Sequence, residues 1–140
     1  MNKKNILIYG ATGSIGDSVL SLIRENKDQF NVIGMTCDKN VKKLSALSDE
    51  FGTKNIGIGS YNKEFNYKKE FPDKNIFFKL EEFKELIDDS VDIIIFAISG
   101  ISILNLSLHV AKSGKIVGMA NKECIISLGD IILDTAIENN

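Results

Sequence analysis

The sequence has no tryptophan, one proline (Pro72), one histidine (His109) and two cysteines (Cys37 and Cys124). The cysteines have no CxxC spacing. Two lone thiols without a secretion signal fit a reducing, cytosol-like compartment. His109 lies in a helical run with no histidine or carboxylate four residues away, which leaves it a packing role rather than a metal pair. No apolar run approaches the roughly 20 residues of a membrane span. Lys3 and Lys4 precede an apolar stretch that is only strand-length and ends in glycine, so no signal peptide is expected. A net charge of -2, with lysines scattered among acids, offers no general affinity for nucleic acid or an anionic membrane. A catalytic Tyr-x-x-x-Lys is absent as well: Tyr9, Tyr61 and Tyr67 are followed four positions on by Gly13, Phe65 and Phe71.

What is present is an ordinary globular balance, 44% hydrophobic and 26% charged, over 140 residues, enough for one domain with a real core. Strand-like runs alternate with helical patterns. Strands are expected at 5–9, 31–36, 55–59, 76–79, 91–99 and 115–120. Helices are expected at 15–26 through Ile15, Val19, Leu22 and Ile23, at 41–51, at 80–87, at 101–112 and over 121–140 through Ile125, Leu128, Ile132, Leu133 and Ile137. Residues 61–74, charged, aromatic and broken by Pro72, predict a short amphipathic helix and a loop. The unbroken apolar run VDIIIFAIS belongs in the middle of a parallel sheet covered on both faces. The pattern as a whole predicts a doubly wound, mainly parallel α/β sheet of the Rossmann-like kind spanning residues 1–140, with helices on both faces. Ligands of such sheets sit beyond the carboxyl ends of the strands, at the switch point. The turns at 10–16, 37–40 and 120–123 are expected to converge there, with 99–101 close by.

The first of these turns organises the chain. In NILIYGATGSIG, Gly10, Gly13 and Gly16 recur every three residues between a strand and a helix. Gly10 permits the sharp exit from the strand, Gly13 lets a ligand approach the backbone, and Gly16 lets the helix pack close. Thr12 and Ser14 add hydroxyls. The spacing is neither G-x-G-x-x-G nor a P-loop, yet its context suits a nucleotide phosphate better than a bare turn.

The second strand end bears on which dinucleotide. Asp38, about 20 residues past the turn, is placed for a ribose 2′-OH and favours NAD. Lys39 follows at once and could pair with a 2′-phosphate, which favours NADP. Asn40 serves either as a donor there or as the cap of the next helix. Residue chemistry leaves the cofactor open. At the third strand end, Asn121 and Glu123 read equally well as a helix cap and a dipole-matched acid. Lys122 does not, because a cation is mildly unfavourable at a helix N-terminus.

Three stretches together, IYGATGSIGDSVLSLI, CDKNV and MANKECIISLG, resemble the N-terminal domain of the 1-deoxy-D-xylulose 5-phosphate reductoisomerases in order and spacing. The resemblance covers essentially the whole chain and implies NADPH as cofactor. It carries Thr12, Gly13, Ser14 and Ile15 over to the NADPH phosphates and Lys39 and Asn40 to the 2′-phosphate. Asn121 and Glu123 go to the ribose and nicotinamide end, and Lys122 to the substrate. Asp38 departs from the family, which commonly has a small residue there; the carboxylate either opposes a 2′-phosphate or points outward.

The family converts 1-deoxy-D-xylulose 5-phosphate to 2-C-methyl-D-erythritol 4-phosphate in non-mevalonate isoprenoid biosynthesis, by metal-assisted rearrangement and NADPH reduction. Its Mg²⁺ or Mn²⁺ ligands lie in an Asp-Ser-Glu motif, and no Asp-x-Glu occurs in these 140 residues. The resemblance therefore implies one domain of a longer, homodimeric enzyme of the bacterial cytoplasm or plastid stroma. Residues 1–140 alone are expected to bind NADPH without turnover, with no catalytic or metal-binding residue among them. The other class open to this turn is a non-catalytic NADP-sensing module.

Overall fold

The computed structural model describes residues 2–100 and 102–139. Its first strand, β1 (Lys4–Tyr9), shows how the sheet is built. Successive side chains of a strand point to opposite faces. Ile6 and Ile8 enter one buried layer, and Leu7 and Tyr9 enter the other. Leu7, Ile8 and Tyr9 are all fully excluded from solvent, and burial of side chains this size contributes about 1.5–3 kcal/mol each.

The chain continues through α1 (Ser14–Glu25), β2 (Phe30–Cys37), α2 (Val41–Phe51) and β3 (Asn55–Ile58). A four-residue helix, α3 (Tyr67–Glu70), and β4 (Asn75–Phe78) follow. Next come α4 (Lys79–Phe83) with a 3₁₀ turn at Lys84–Leu86, β5 (Ile93–Phe96), α5 (Leu104–Ala111), β6 (Ile116–Met119) and α6 (Lys122–Glu138). The sheet order is β4-β3-β2-β1-β5-β6, and every pairing is parallel. Leu20, Ile23, Leu44 and Leu47 of α1 and α2 cover one face; Phe83, Leu106, Val110 and Ile132 of α4, α5 and α6 cover the other. This is the doubly wound α/β fold expected. The chain turns back across the sheet between β4 and β5, so the switch point lies beside β1, between the carboxyl ends of β1 and β5.

Several elements differ from the sequence expectation. Ile15 and Leu22 are 42% and 62% exposed; of the expected face Ile23 is buried and Val19 packs against the core, joined by Gly16 and Leu20. The glycine sets that face, because only it lets the helix lie against the β1 exit. The long apolar run pairs only over Ile93–Phe96; Ala97 and Ile98 leave the ladder to wall the cleft at the switch point. The next helix starts at Leu104 rather than 101, and residue 101 lies outside the described residues. Lys79, at φ +65°, turns the chain directly from β4 into α4, and a 3₁₀ turn completes that segment. In α6, Leu128 has non-helical backbone angles (φ −135°, ψ 17°) just before Gly129, so the helix is kinked there. Of its expected core residues Ile132 is buried and Leu128 half-buried, while Ile125, Leu133 and Ile137 are exposed. With β6 at the sheet edge, α6 has only one covered side.

Candidate functional site at the switch point

Gly10 leaves β1 at φ +86°, and a Cβ there would lie 2.6 Å from the Ala97 carbonyl oxygen. Glycine alone satisfies both the dihedral and the contact. The exit is pinned from β2: the Gly10 N–H donates to Thr36 Oγ1 at 3.0 Å, and the Ala11 N–H to the Thr36 carbonyl at 2.8 Å. Gly16 lies against backbone too, since a Cβ would meet the Ala11 carbonyl oxygen at 2.4 Å.

Gly13 differs from these two. It is the N-cap residue of α1, in extended conformation, and supplies no side-chain cap. The first-turn N–H groups of α1 are therefore without a capping side chain, and the positive end of the helix dipole faces outward. A Cβ on Gly13 would meet nothing nearer than the Gly10 carbonyl oxygen at 3.8 Å. Asp17, in the same turn, would oppose an approaching anion. Lys43 of α2 offsets it: its ammonium lies 2.8 Å from the Asp17 carboxylate and donates to the Thr12 carbonyl at 3.1 Å. An uncapped helix start beside an open glycine, with its one acid paired, suits a phosphate.

The cleft before this turn has a volume of about 370 Å³, within the usual size of small-molecule sites. Gly10, Thr12 and Gly13 form its floor, and Thr36, Cys37 and Asp38 close the β2 side. Ala97, Ile98 and Ser99 close the β5 side, and Gly59, Phe83 and Ser102 complete the rim. Burial pushes the Cys37 thiol up to about 12, and the neighbouring Asp38 carboxylate adds to the effect. The thiol is protonated at neutral pH and acts as an apolar wall. Tyr9 lies beneath, its hydroxyl donating to the Phe83 carbonyl at 2.6 Å, and burial raises its pKa above the ordinary value of 10.0.

The expected site residues fall in three places. Thr12 and Gly13 line the cleft, and Ser14 and Ile15 are the exposed first residues of α1. Lys39 and Asn40 line an adjoining hollow, shared with Lys42, Tyr61, Phe65 and Tyr67. Asn40 Oδ1 is engaged as the cap of α2, accepting from the Lys43 N–H at 3.2 Å; its Nδ2 is not used in that bond. Asn121, Lys122 and Glu123 open α6, outside the cleft lining. Asn121 is 2% exposed; its Oδ1 accepts from the Cys124 N–H at 2.7 Å and its Nδ2 donates to the Ile98 carbonyl. That side chain is thus spent on tying the start of α6 to the cleft wall. Asp38 is exposed. It lines the cleft, held by the Ser60 hydroxyl at 2.6 Å.

Sequence reasoning missed Thr36, Lys43 and Ser102. Thr36 had a weak signal, a hydroxyl within an otherwise apolar strand. Lys43 had none, because its reach to the turn depends on how α2 packs beside α1. Among the described residues no group of three or more His, Cys, Asp or Glu could hold a metal ion. No helix among them is long and apolar enough to cross a membrane.

The model of the family described as 1-deoxy-D-xylulose 5-phosphate reductoisomerase matches residues 6–129. A reductoisomerase of that name from Francisella tularensis subsp. novicida is 38% identical over 99% of this chain, and one from Listeria innocua is 31% identical over 98%. The chain spans 36% of the length of each of these curated relatives. Among solved structures, the Zymomonas mobilis enzyme in complex with NADPH superposes with a TM-score of 0.90 at 29% identity, covering 99% of this chain and 37% of that one. A reductoisomerase in complex with NADPH, fosmidomycin and magnesium superposes with a TM-score of 0.86 at 33% identity, covering 97% of this chain and 34% of that one. The match runs from β1 through the glycine turn into α6, over the same sheet, and on that ground the chain belongs to the 1-deoxy-D-xylulose 5-phosphate reductoisomerase family.

Proposed function

We propose that residues 1–140 form an NADPH-binding domain and that the whole protein converts 1-deoxy-D-xylulose 5-phosphate to 2-C-methyl-D-erythritol 4-phosphate. The observation that carries the reading is the uncapped start of α1 at Gly13, opening on the cleft between β1 and β5. When bound, NADPH supplies the reducing equivalent; the domain's part is to bind it, orient it and exclude water. Thr12, Gly13, Ser14 and Ile15 hold its phosphates, with Lys43 keeping Asp17 from repelling them. Lys39 and the free amide nitrogen of Asn40 take the 2′-phosphate. The strand ends on the β5 side receive the nicotinamide half, with Glu123 beside it, and Asn121 contributes by holding the Ile98 backbone. Lys122, exposed at the start of α6, reaches the substrate. The Mg²⁺ or Mn²⁺ of the reaction is held by residues outside these 140. The whole enzyme works as a homodimer in the bacterial cytoplasm or a plastid stroma.

The test is a fluorescence titration of this protein with NADPH. Saturable binding that weakens about tenfold after Lys39→Ala, with the fold intact by circular dichroism, supports the reading. Absence of saturable binding by the folded wild type overturns it. The whole protein is then assayed for NADPH oxidation dependent on 1-deoxy-D-xylulose 5-phosphate and added Mg²⁺ or Mn²⁺. Binding without any such turnover would favour the sensing module instead.

A further inference from the structure

Asp38 and Lys39 are neighbours in sequence and face different spaces. Asp38, an exposed residue, is among those lining the cleft with Gly10, Thr12 and Gly13, whereas Lys39 lines the adjoining hollow with Asn40, Ser60 and Tyr61. The carboxylate is fixed there. Ser60 Oγ donates to Asp38 Oδ1 at 2.6 Å, the Ser60 N–H donates to the Asp38 carbonyl at 3.0 Å, and the Gly59 N–H donates to the Cys37 carbonyl at 2.9 Å. These bonds extend the β2–β3 pairing past Cys37 and Ile58. Asp38 Oδ2 makes no hydrogen bond among the described residues. An anchored carboxylate with a free acceptor oxygen, at the end of the second strand of a dinucleotide fold, is suited to a ribose 2′-OH. That hydroxyl has a proton to donate. A 2′-phosphate has none to spare and carries like charge, so the same carboxylate disfavours it unless a cation beside it compensates.

We propose that Asp38 is a specificity-determining residue that makes this site accept NADH as well as NADPH. Asp38 accepts from the adenosine ribose 2′-OH of NADH, while Lys39, the next residue, takes the 2′-phosphate of NADPH from the hollow that Ser60 also lines. The inference rests on the proposed reading that the cleft holds a nicotinamide dinucleotide, and it deepens that reading by naming what sets the preference.

The test compares dissociation constants for NADPH and NADH at fixed ionic strength in wild type, Asp38→Gly and Asp38→Asn, with the melting temperature of each variant as a check on folding. The wild type is expected to bind both, with constants within about tenfold, the worth of one charge-assisted hydrogen bond. Asp38→Gly is expected to weaken NADH by about tenfold and to tighten NADPH several-fold. Asp38→Asn, which keeps the shape and removes the charge, is expected to tighten NADPH similarly, and the gain should shrink as salt is raised. If the wild type binds NADPH and not NADH, or if neither variant changes the ratio, the inference is wrong and the proposed function stands. If the folded wild type binds neither, the proposed function fails and takes the inference with it.

Discussion

Lys43 reaches from the first turn of α2 to the glycine turn and donates to the Thr12 carbonyl at 3.1 Å, with the Asp17 carboxylate 2.8 Å from the same ammonium. One cation thus fixes the turn's backbone and removes the one acid that would oppose an anion at the start of α1. Lys43→Met keeps much of the side-chain length and removes the charge. It should raise the NADPH dissociation constant about tenfold, as loss of a charge-assisted contact does. The pair is partly exposed, so the stability cost should stay within about 1 kcal/mol. Paired fluorescence titration and urea unfolding separate the two effects. An unchanged affinity would remove Lys43 from the binding account.

Gly13 and Gly16 look equivalent in the sequence and should behave differently. Gly16→Ala forces a Cβ to within 2.4 Å of the Ala11 carbonyl oxygen, against backbone that cannot yield cheaply. A loss of about 1–3 kcal/mol is expected, the usual cost of overpacking. Gly13→Ala meets nothing closer than 3.8 Å. It should cost less than Gly16→Ala, no more than about 1 kcal/mol for replacing Gly by Ala at an N-cap, and weaken NADPH, because the new methyl stands at the uncapped start of α1. Equal stability losses in both variants would contradict this.

Asn121 is buried and both ends of its amide are engaged. Asn121→Ala removes the cap of α6 and leaves the Ile98 carbonyl without that donor. The expected cost is about 1–3 kcal/mol in urea unfolding. If the residue acted only on a ligand, stability would not change.

Cys37 and Tyr9 make stability sensitive to alkali. Both are acids held neutral by burial, so their folded pKa values lie above the unfolded ones. Their contribution is complete below the unfolded values and is lost as pH rises. For Cys37 the loss begins near 9.0 and runs to about 12; for Tyr9 it begins near 10.0. Urea midpoints should therefore fall steadily above pH 9, and Cys37→Ala should flatten the first part of that decline. A thiol reagent that reacts quickly with the folded protein at pH 8 and modifies Cys37 would show the thiol to be neither buried nor suppressed.

Much of the molecule was legible without coordinates, because period and punctuation are local properties. The alternation of apolar strand runs and helical faces, stopped by Gly52 and Gly114 in left-handed conformations, implied the doubly wound sheet. The glycine turn was readable for the same reason. Gly10 needs its dihedral wherever the strand goes, and Gly16 needs its close packing wherever the helix lies. What misled was apolar character taken as burial. Ile15, Leu22, Ile125, Leu133 and Ile137 satisfy a helical period and are exposed, since a period says which residues share a face and not whether anything covers it.

The sequence by itself determined the fold class, the glycine turn and the order of the three strand ends. Each depends on residues close together in the chain. Only the tertiary structure decided which side chains meet. It took packing of α2 beside α1 to bring Lys43 to Thr12, and pairing of β3 with β2 to hold Asp38 through Ser60. Return of the chain to β5 carried Ile98 to the amide of Asn121. Those contacts join residues about 20 to 30 positions apart, 31, 22 and 23 respectively. Distances between residues so far apart are set by the sheet, which no local pattern encodes.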